Sequence, residues 1–506
     1  MKSALRVLII ICCFTGIALG SSLDTSKANN IRSLTLRGLE YAYNLDFQNA
    51  TRLFDEAHNI EPLHPRPLLG KASMKFWQLM IQKDDSSYEQ FISDVEKIID
   101  AGDRYLDRYG KDADVYTSLG TAYAYRAFAH ARMKSYLKAA WDGKKSYDYF
   151  NDAIELDHRT YDAYAGVGVF HYFATFLPKA LQWAGSILDV PRNGDRGIKE
   201  IGIAAEKGTF LSVESKFCIA ELLPWYSDDF DSSAVILRKL AQKYPGNSLF
   251  LFTVAVWDIK KNDVQSARDI LLKIEGEEHN PIPGLRNFID YKLGECYFRL
   301  RDYPHSQEYY QRFLNKYKDE VYNATANYRI GICREMTGRK NESTKYFALS
   351  EVSKSKFGDD KYSARKAAYF AKNPFGYDDS LLLCAQNLFK SGKYDKAIEL
   401  YARLKSQPSL SSVMRTEAIY GMGETYFEQG SYTNALKYFQ EVTAQHLPAS
   451  DIWMFPWAYY YSGISCLKLN NKPEAKKAFE KVSDYDEYDF EQWLSYRTKL
   501  KLDRLK

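Results

Sequence analysis

Residues 416–442 read TEAIYGMGETYFEQGSYTNALKYFQEV. Ile419, Met422, Gly423 and Tyr426 recur at helical spacing, Ala435, Phe439 and Val442 do the same, and Gly430 separates the two sets. Apolar residues three and four apart predict two amphipathic helices, and the glycine between them predicts the turn that folds one back on the other. Gly423 then lets the two helices approach closely. Ala435 is the small residue opposite it, and Tyr426 and Phe439 fill the gap to the next hairpin. A unit of this size cannot bury its apolar faces alone, so the neighbouring sequence must supply hairpins that stack on it.

The neighbouring sequence does so. Aligned on the Gly or Ala pair, further segments start near Ile31, Ala113, Tyr161, Glu214, Ser248, Asn287, Ala324, Asp378 and Pro456. From Glu214 onward the starts cluster near a period of ~34 residues, with small insertions. The first hairpin carries Leu34, Gly38, Tyr41, Ala50, Phe54, Ala57 and Pro62 in order. This series resembles the tetratricopeptide repeat family. The resemblance implies an all-α fold, a solenoid of about ten to eleven antiparallel helix pairs wound as a right-handed superhelix.

Breaks in the pattern predict the organisation. Residues 1–20 pair Lys2 and Arg6 with an apolar run, Val7 to Leu19, and end on small residues before Ser21, which predicts a cleavable signal peptide. Residues 24–210 form a divergent N-terminal block with a lengthened hairpin between Pro65 and Tyr109, lacking the small pair, and an insertion near 173–195. A middle block spans 211–372. The basic segment Lys354 to Lys372, followed by Asn373-Pro374-Phe375-Gly376, predicts a joint before the C-terminal block at 373–506. In its tail Phe490, Trp493, Tyr496 and Leu500 share one face, with Lys and Arg elsewhere, as a capping helix requires. Around the insertion, the series from Gly168 to Gly208 (Gly-Val-Phe, Phe-Leu-Pro-Lys, Gly-Asp-Arg-Gly, Ala-Ala-Glu-Lys-Gly) resembles the central segment of the eukaryotic tetratricopeptide-repeat domain 39 family over residues 161–222. That likeness implies a helical fold and no particular activity.

Composition narrows the function. Hydrophobic residues make up 45% of the 506, so the chain buries a large core, and aromatics make up 15%, with 40 Tyr. Loss of the leader would lower the formal net charge from +4 to +2, a near-neutral balance that argues against a nucleic-acid partner. Of seven cysteines, Cys12 and Cys13 lie in the leader. The scattered remainder (Cys218, Cys296, Cys333, Cys384 and Cys466) reads as buried thiols rather than a disulfide framework. No phosphate-binding loop, HExxH pair, GxSxG elbow or CxxC motif occurs, and no two histidines sit four apart. The reading is therefore a non-enzymatic protein, with no catalytic residue, cofactor or metal expected.

What remains is a surface. In tetratricopeptide arrays the first helix of each hairpin lines the concave face, so the resemblance places Tyr291, Glu295, Phe298, Tyr328, Glu335, Phe389, Tyr420, Glu424, Phe427 and Tyr460 in a groove. Aromatic rings interspersed with carboxylates suit a polypeptide partner that carries apolar and basic residues. A competing use of the same tyrosines is packing between adjacent hairpins. The expected function is thus a protein-binding scaffold, exported to the periplasm, the outer envelope or the secreted space. The alternative is a membrane-associated protein that docks on lipid or an integral partner through the insertion near 173–188.

Overall fold

The computed structural model describes residues 23–81, 85–175, 191, 193–227, 229–276, 282, 284–317 and 319–505. The expected leader and most of the insertion, 176–190 and 192, lie outside the described residues. Two compact units divide the chain, Met1–Ile219 with Tyr244–Gly246, and Ala220–Lys243 with Asn247–Lys506. Among the described residues all regular structure is helical.

The first unit holds α1 (Thr25–Tyr43), α2 (Phe47–Ile60), α3 (Pro65–Ile81), α4 (Asp85–Tyr109), α5 (Ala113–Arg132), α6 (Tyr136–Leu156), α7 (Ala163–Ala174) and α8 (Gly194–Lys207). The division runs through α9 (Ser212–Ser227). The second unit continues with α10 (Phe230–Lys243), α11 (Ser248–Lys260), α12 (Val264–Glu275), α13 (Leu285–Arg299), α14 (Tyr303–Lys316), α15 (Asn323–Met336), α16 (Lys340–Glu351) and α17 (Gly358–Lys372). It ends with α18 (Tyr377–Phe389), α19 (Tyr394–Lys405), α20 (Ser412–Glu428), α21 (Tyr432–Thr443), α22 (Met454–Lys468), α23 (Lys472–Val482) and α24 (Glu491–Asp503). Among the described residues most neighbouring helices pair in order as antiparallel hairpins, with α17 and α24 single, the all-α arrangement expected of a tetratricopeptide array.

One contact sets the register of the hairpins. A glycine on the first helix faces an aromatic ring sixteen residues later on the second: Gly38 with Phe54, Gly294 with Tyr310, Gly331 with Phe347, Gly423 with Phe439 and Gly463 with Phe479. A Cβ at Gly423 would lie 2.6 Å from Phe439 Cε1, inside contact distance. The ring, rather than Ala435, is therefore what occupies the space that Gly423 leaves. Some rings are also covered from the next hairpin, Phe54 by Gly70 and Phe150 by Gly166. Gly70 packs on the ring of the preceding hairpin, not on α4.

The turns are equally uniform. In eight hairpins the residue just before the second helix's N-cap is left-handed: Leu45, Lys134, Asn262, Arg301, Gly338, Gly392, Gly430 and Asn470. Asp46, Asp263, Asp302 and Asn471 follow four of them, and their side chains accept backbone N–H bonds of the helix they open. Glycine occupies the left-handed position at only three of the eight turns, so the tight connection does not depend on it.

Most of the basic segment before 373 forms the helix α17 (Gly358–Lys372). It packs on α15 and α16, and its buried Asp360 accepts from the backbone N–H of Tyr322 and of Thr325, at the start of α15. Residues 373–376 then connect it to α18, which opens a new stack with α19 and α20. The cysteines from Cys218 to Cys466 are free thiols.

In the first unit a carboxyl is buried against a phenol. Tyr43 Oη donates to Glu214 Oε2, and burial pushes the Glu214 carboxyl up to about 7. A carboxyl raised in the fold contributes its full stability below the unfolded-chain value, about 4.5, and loses it as pH rises through 7. Glu214→Gln keeps an acceptor for Tyr43 and removes the titration. The variant is expected to melt higher than the parent at pH 8 and no higher at pH 4, read by circular dichroism.

Two substitutions test the hairpin geometry in opposite directions. Gly423→Val forces Phe439 aside and is expected to destabilise by about 1–3 kcal/mol. Arg301→Gly relieves an exposed left-handed residue and is expected to stabilise by about 1 kcal/mol. Urea unfolding midpoints give both signs.

Candidate partner-binding cavity

First helices of the second unit surround a cavity of about 1660 Å³. Residues of α11, α13, α15, α17, α18, α20, α22 and α24 contribute to its wall. Nineteen of its forty-six lining residues are aromatic, well above the 15% of the chain as a whole. Most of these rings come from first helices and from α17 and α24, and Tyr310 and Tyr401 reach the wall from second helices.

Seven of the ten expected groove residues line this cavity: Glu295, Phe298, Phe389, Tyr420, Glu424, Phe427 and Tyr460. Three do not. Tyr291 is buried against Tyr310, Phe313 and Tyr322, with centroids 5.5, 5.1 and 4.7 Å away. Tyr328 packs on Phe347 at 6.2 Å, and Glu335 accepts a hydrogen bond from Ser343. Even along the wall, Phe298, Phe389, Tyr420 and Tyr460 are mostly buried, so packing claims much of each ring. Tyr420 meets Trp453 edge-on at 5.4 Å and Phe439 at 6.0 Å. The more open groups are Phe427, Glu424 and the adjoining Glu428.

Charge is distributed unevenly around the wall. On α13, burial raises the proton affinity of Glu295, but Lys292 at 2.7 Å and Arg299 more than reverse that and hold its carboxyl far below the usual range. Nearby Arg329 lays its guanidinium over the Phe298 ring, 4.3 Å from the centroid, and Lys260 completes a basic wall. On α20 the balance is the opposite. Burial pushes the Glu424 carboxyl up, only partly offset by Lys390 and by a hydrogen bond from Tyr420, and the more open Glu428 is raised as well, by partial burial and by Glu424 beside it. Glu417, about two turns before Glu424, is paired with Lys366 at 2.7 Å.

The tail helix forms another part of the wall, and its buried face differs from the expected one. Trp493 stacks on Trp457 at 5.0 Å and meets Trp225 edge-on at 5.6 Å. Leu494, Arg497, Thr498, Leu500 and Lys501 are buried, so two of the expected outward cations turn inward. Arg497 is held by stacking, its guanidinium 4.5 Å from the Trp493 ring and 5.3 Å from that of Tyr460. Burial, with Arg497, Arg504 and Lys468 close by, pushes the Lys501 ammonium down to about 7. Phe490 precedes the helix, in a left-handed conformation, and packs against Tyr362 at 5.9 Å.

Sequence reasoning missed Trp453, Trp457, Arg329 and Glu428. Glu428 had a readable signal, since it lies four residues after Glu424 on the same helical face. Trp457 had none, because its exposure depends on where α24 docks. No cluster of His, Cys, Asp or Glu suited to a metal occurs among the described residues, and no helix among them is long and apolar enough to cross a membrane.

A tetratricopeptide-repeat family model matches residues 382–446, and a second matches residues 290–319. Both segments lie in the second unit and contribute to the cavity wall. No curated protein sequence matches the chain. Among solved structures, a tetratricopeptide repeat protein from Parabacteroides merdae is 16% identical over 57% of this chain and 99% of its own, with a TM-score of 0.25. The tetratricopeptide domain of P58(IPK) is 16% identical over 75% of this chain and 98% of its own, at 0.21. Yeast Tom70 is 13% identical over 94% and 97%, at 0.24. At TM-scores this low, nothing about arrangement, partner or activity is transferred. The narrower likeness of residues 161–222 to the tetratricopeptide-repeat domain 39 family has no counterpart in these comparisons. The hairpin register, the shared turn and the two matching family models agree that residues 290–319 and 382–446 carry tetratricopeptide repeats.

Proposed function

We propose that this chain is an exported, non-enzymatic scaffold that holds polypeptide partners in the cavity of its second unit. The observation that carries the reading is the pairing of an aromatic wall with two under-compensated carboxylates, Glu424 and Glu428. A Lys or Arg side chain brought beside them supplies the positive charge that Lys390 provides only in part. Phe427, Trp457 and Tyr461 offer ring faces to apolar side chains of the same partner. The basic wall of Lys260 and Arg329 gives such a polypeptide a direction, since it favours an acidic group at the other end. Export rests on the leader-like residues 1–20, and a cell-envelope or secreted setting follows from export.

Fluorescence anisotropy with short labelled peptides tests the site. A peptide alternating Leu and Phe with Lys is expected to bind the full chain, and one with Glu in place of Lys to bind much more weakly. Glu424→Gln with Glu428→Gln is expected to weaken the Lys peptide about tenfold or more, with helical content unchanged. Equal affinity in parent and variant would place polypeptide binding elsewhere.

A further inference from the structure

One surface of the first unit has no role in the fold and none in the cavity. Along α6 the buried residues are Ala140, Asp142, Gly143, Ser146, Phe150 and Ala153. Two large apolar side chains on the same helix lie off that stripe, in solvent: Leu137 is 56% exposed and Trp141 58%. Leu137 and Trp141 are four residues apart and share a helical face.

The charges on this face of α6 are basic, with Asp103 of α4 near Lys145. Lys134 and Lys138 are exposed beside Leu137, and Lys145 is exposed one turn beyond Trp141, its ammonium 5.8 Å from the Tyr123 ring centroid. From residue 131 to residue 147 the sequence has a single acid, Asp142. That carboxylate is buried and bonded to Arg126 at 2.7 and 2.9 Å, so it does not neutralise the outer face. Lys144 is bonded to Asp148 at 2.5 Å and adds little net charge.

We propose that this face of α6 docks on an anionic membrane surface. Trp141 places an amphipathic ring at the boundary between headgroups and acyl chains, Leu137 inserts beside it, and the lysines meet lipid phosphates. A protein partner is the poorer fit. Lysine is depleted from protein interfaces, whereas here it is interleaved with the exposed apolar residues. The patch is separate from the insertion near 173–188 and from the peptide cavity, so neither need act for it to work.

Co-sedimentation of the full chain with vesicles gives the test. It is expected to pellet with equimolar phosphatidylcholine and phosphatidylglycerol, less as salt is raised, and poorly with phosphatidylcholine alone. Leu137→Ser with Trp141→Ser, and separately Lys134→Gln with Lys138→Gln, are each expected to lower partitioning about tenfold or more. These positions are exposed, and an unchanged circular dichroism spectrum confirms the fold. Failure to pellet overturns the proposal, and so does pelleting that both variants retain, because the lipid contact would then lie elsewhere. Binding of poly-glutamate in place of vesicles, lost in the same variants, would reassign the face to an acidic protein.

Discussion

The fold depends on how closely two helices can approach across a glycine. Where Gly423 faces Phe439, or Gly38 faces Phe54, the missing Cβ makes room for an entire ring. Aromatic burial is among the largest favourable contributions a single side chain can make, and loss of such a ring typically costs about 3–5 kcal/mol. In five hairpins the ring comes sixteen residues after the glycine, so those hairpins close in one register. The next hairpin then finds the far side of the ring already in place, as Gly70 does with Phe54. Elements that differ widely in sequence are thereby held to one spacing.

The cavity follows from that division of labour. Second helices are largely occupied with the rings that set the register, and first helices, with α17 and α24, supply most of an inner wall. Tyr291 and Tyr420 hold equivalent places in their hairpins, yet only Tyr420 reaches the cavity. Tyr322, in the left-handed residue before α15, folds over Tyr291 at 4.7 Å and covers it. Wall chemistry is therefore decided by loops between hairpins as much as by the repeat itself. The contrast between Glu295, satisfied by Lys292 and Arg299, and Glu424, short of positive charge, has the same origin. One helix brings its own counter-ions, and the other leaves its carboxylates to whatever enters.

Hairpins and their starts were legible because small and aromatic residues recur at fixed offsets, and α5, α11 and α15 begin within a residue of the expected places. The single helix α17 was not legible. Its charges read as a solvated joint, but Arg365 bonds Asp489, 124 residues away, and Asp451, while Lys366 bonds Glu417. Pairings across such separations leave no local pattern. The tail helix misled for a related reason. A stripe drawn through Phe490, Trp493, Tyr496 and Leu500 assumes that cations stay in water, whereas Arg497 buries its flat guanidinium between Trp493 and Tyr460. Of the groove, positions were readable from the repeat, and exposure was not.

The shared turn has a consequence for how the chain is made. Eight hairpins close through a connection of a few residues with a left-handed link, so joining their helices costs little chain entropy and needs nothing distant. Early hairpins can therefore shelter their rings while later ones are still on the ribosome. For a polypeptide with so many aromatic side chains, that order of events shortens the time during which sticky surface is bare.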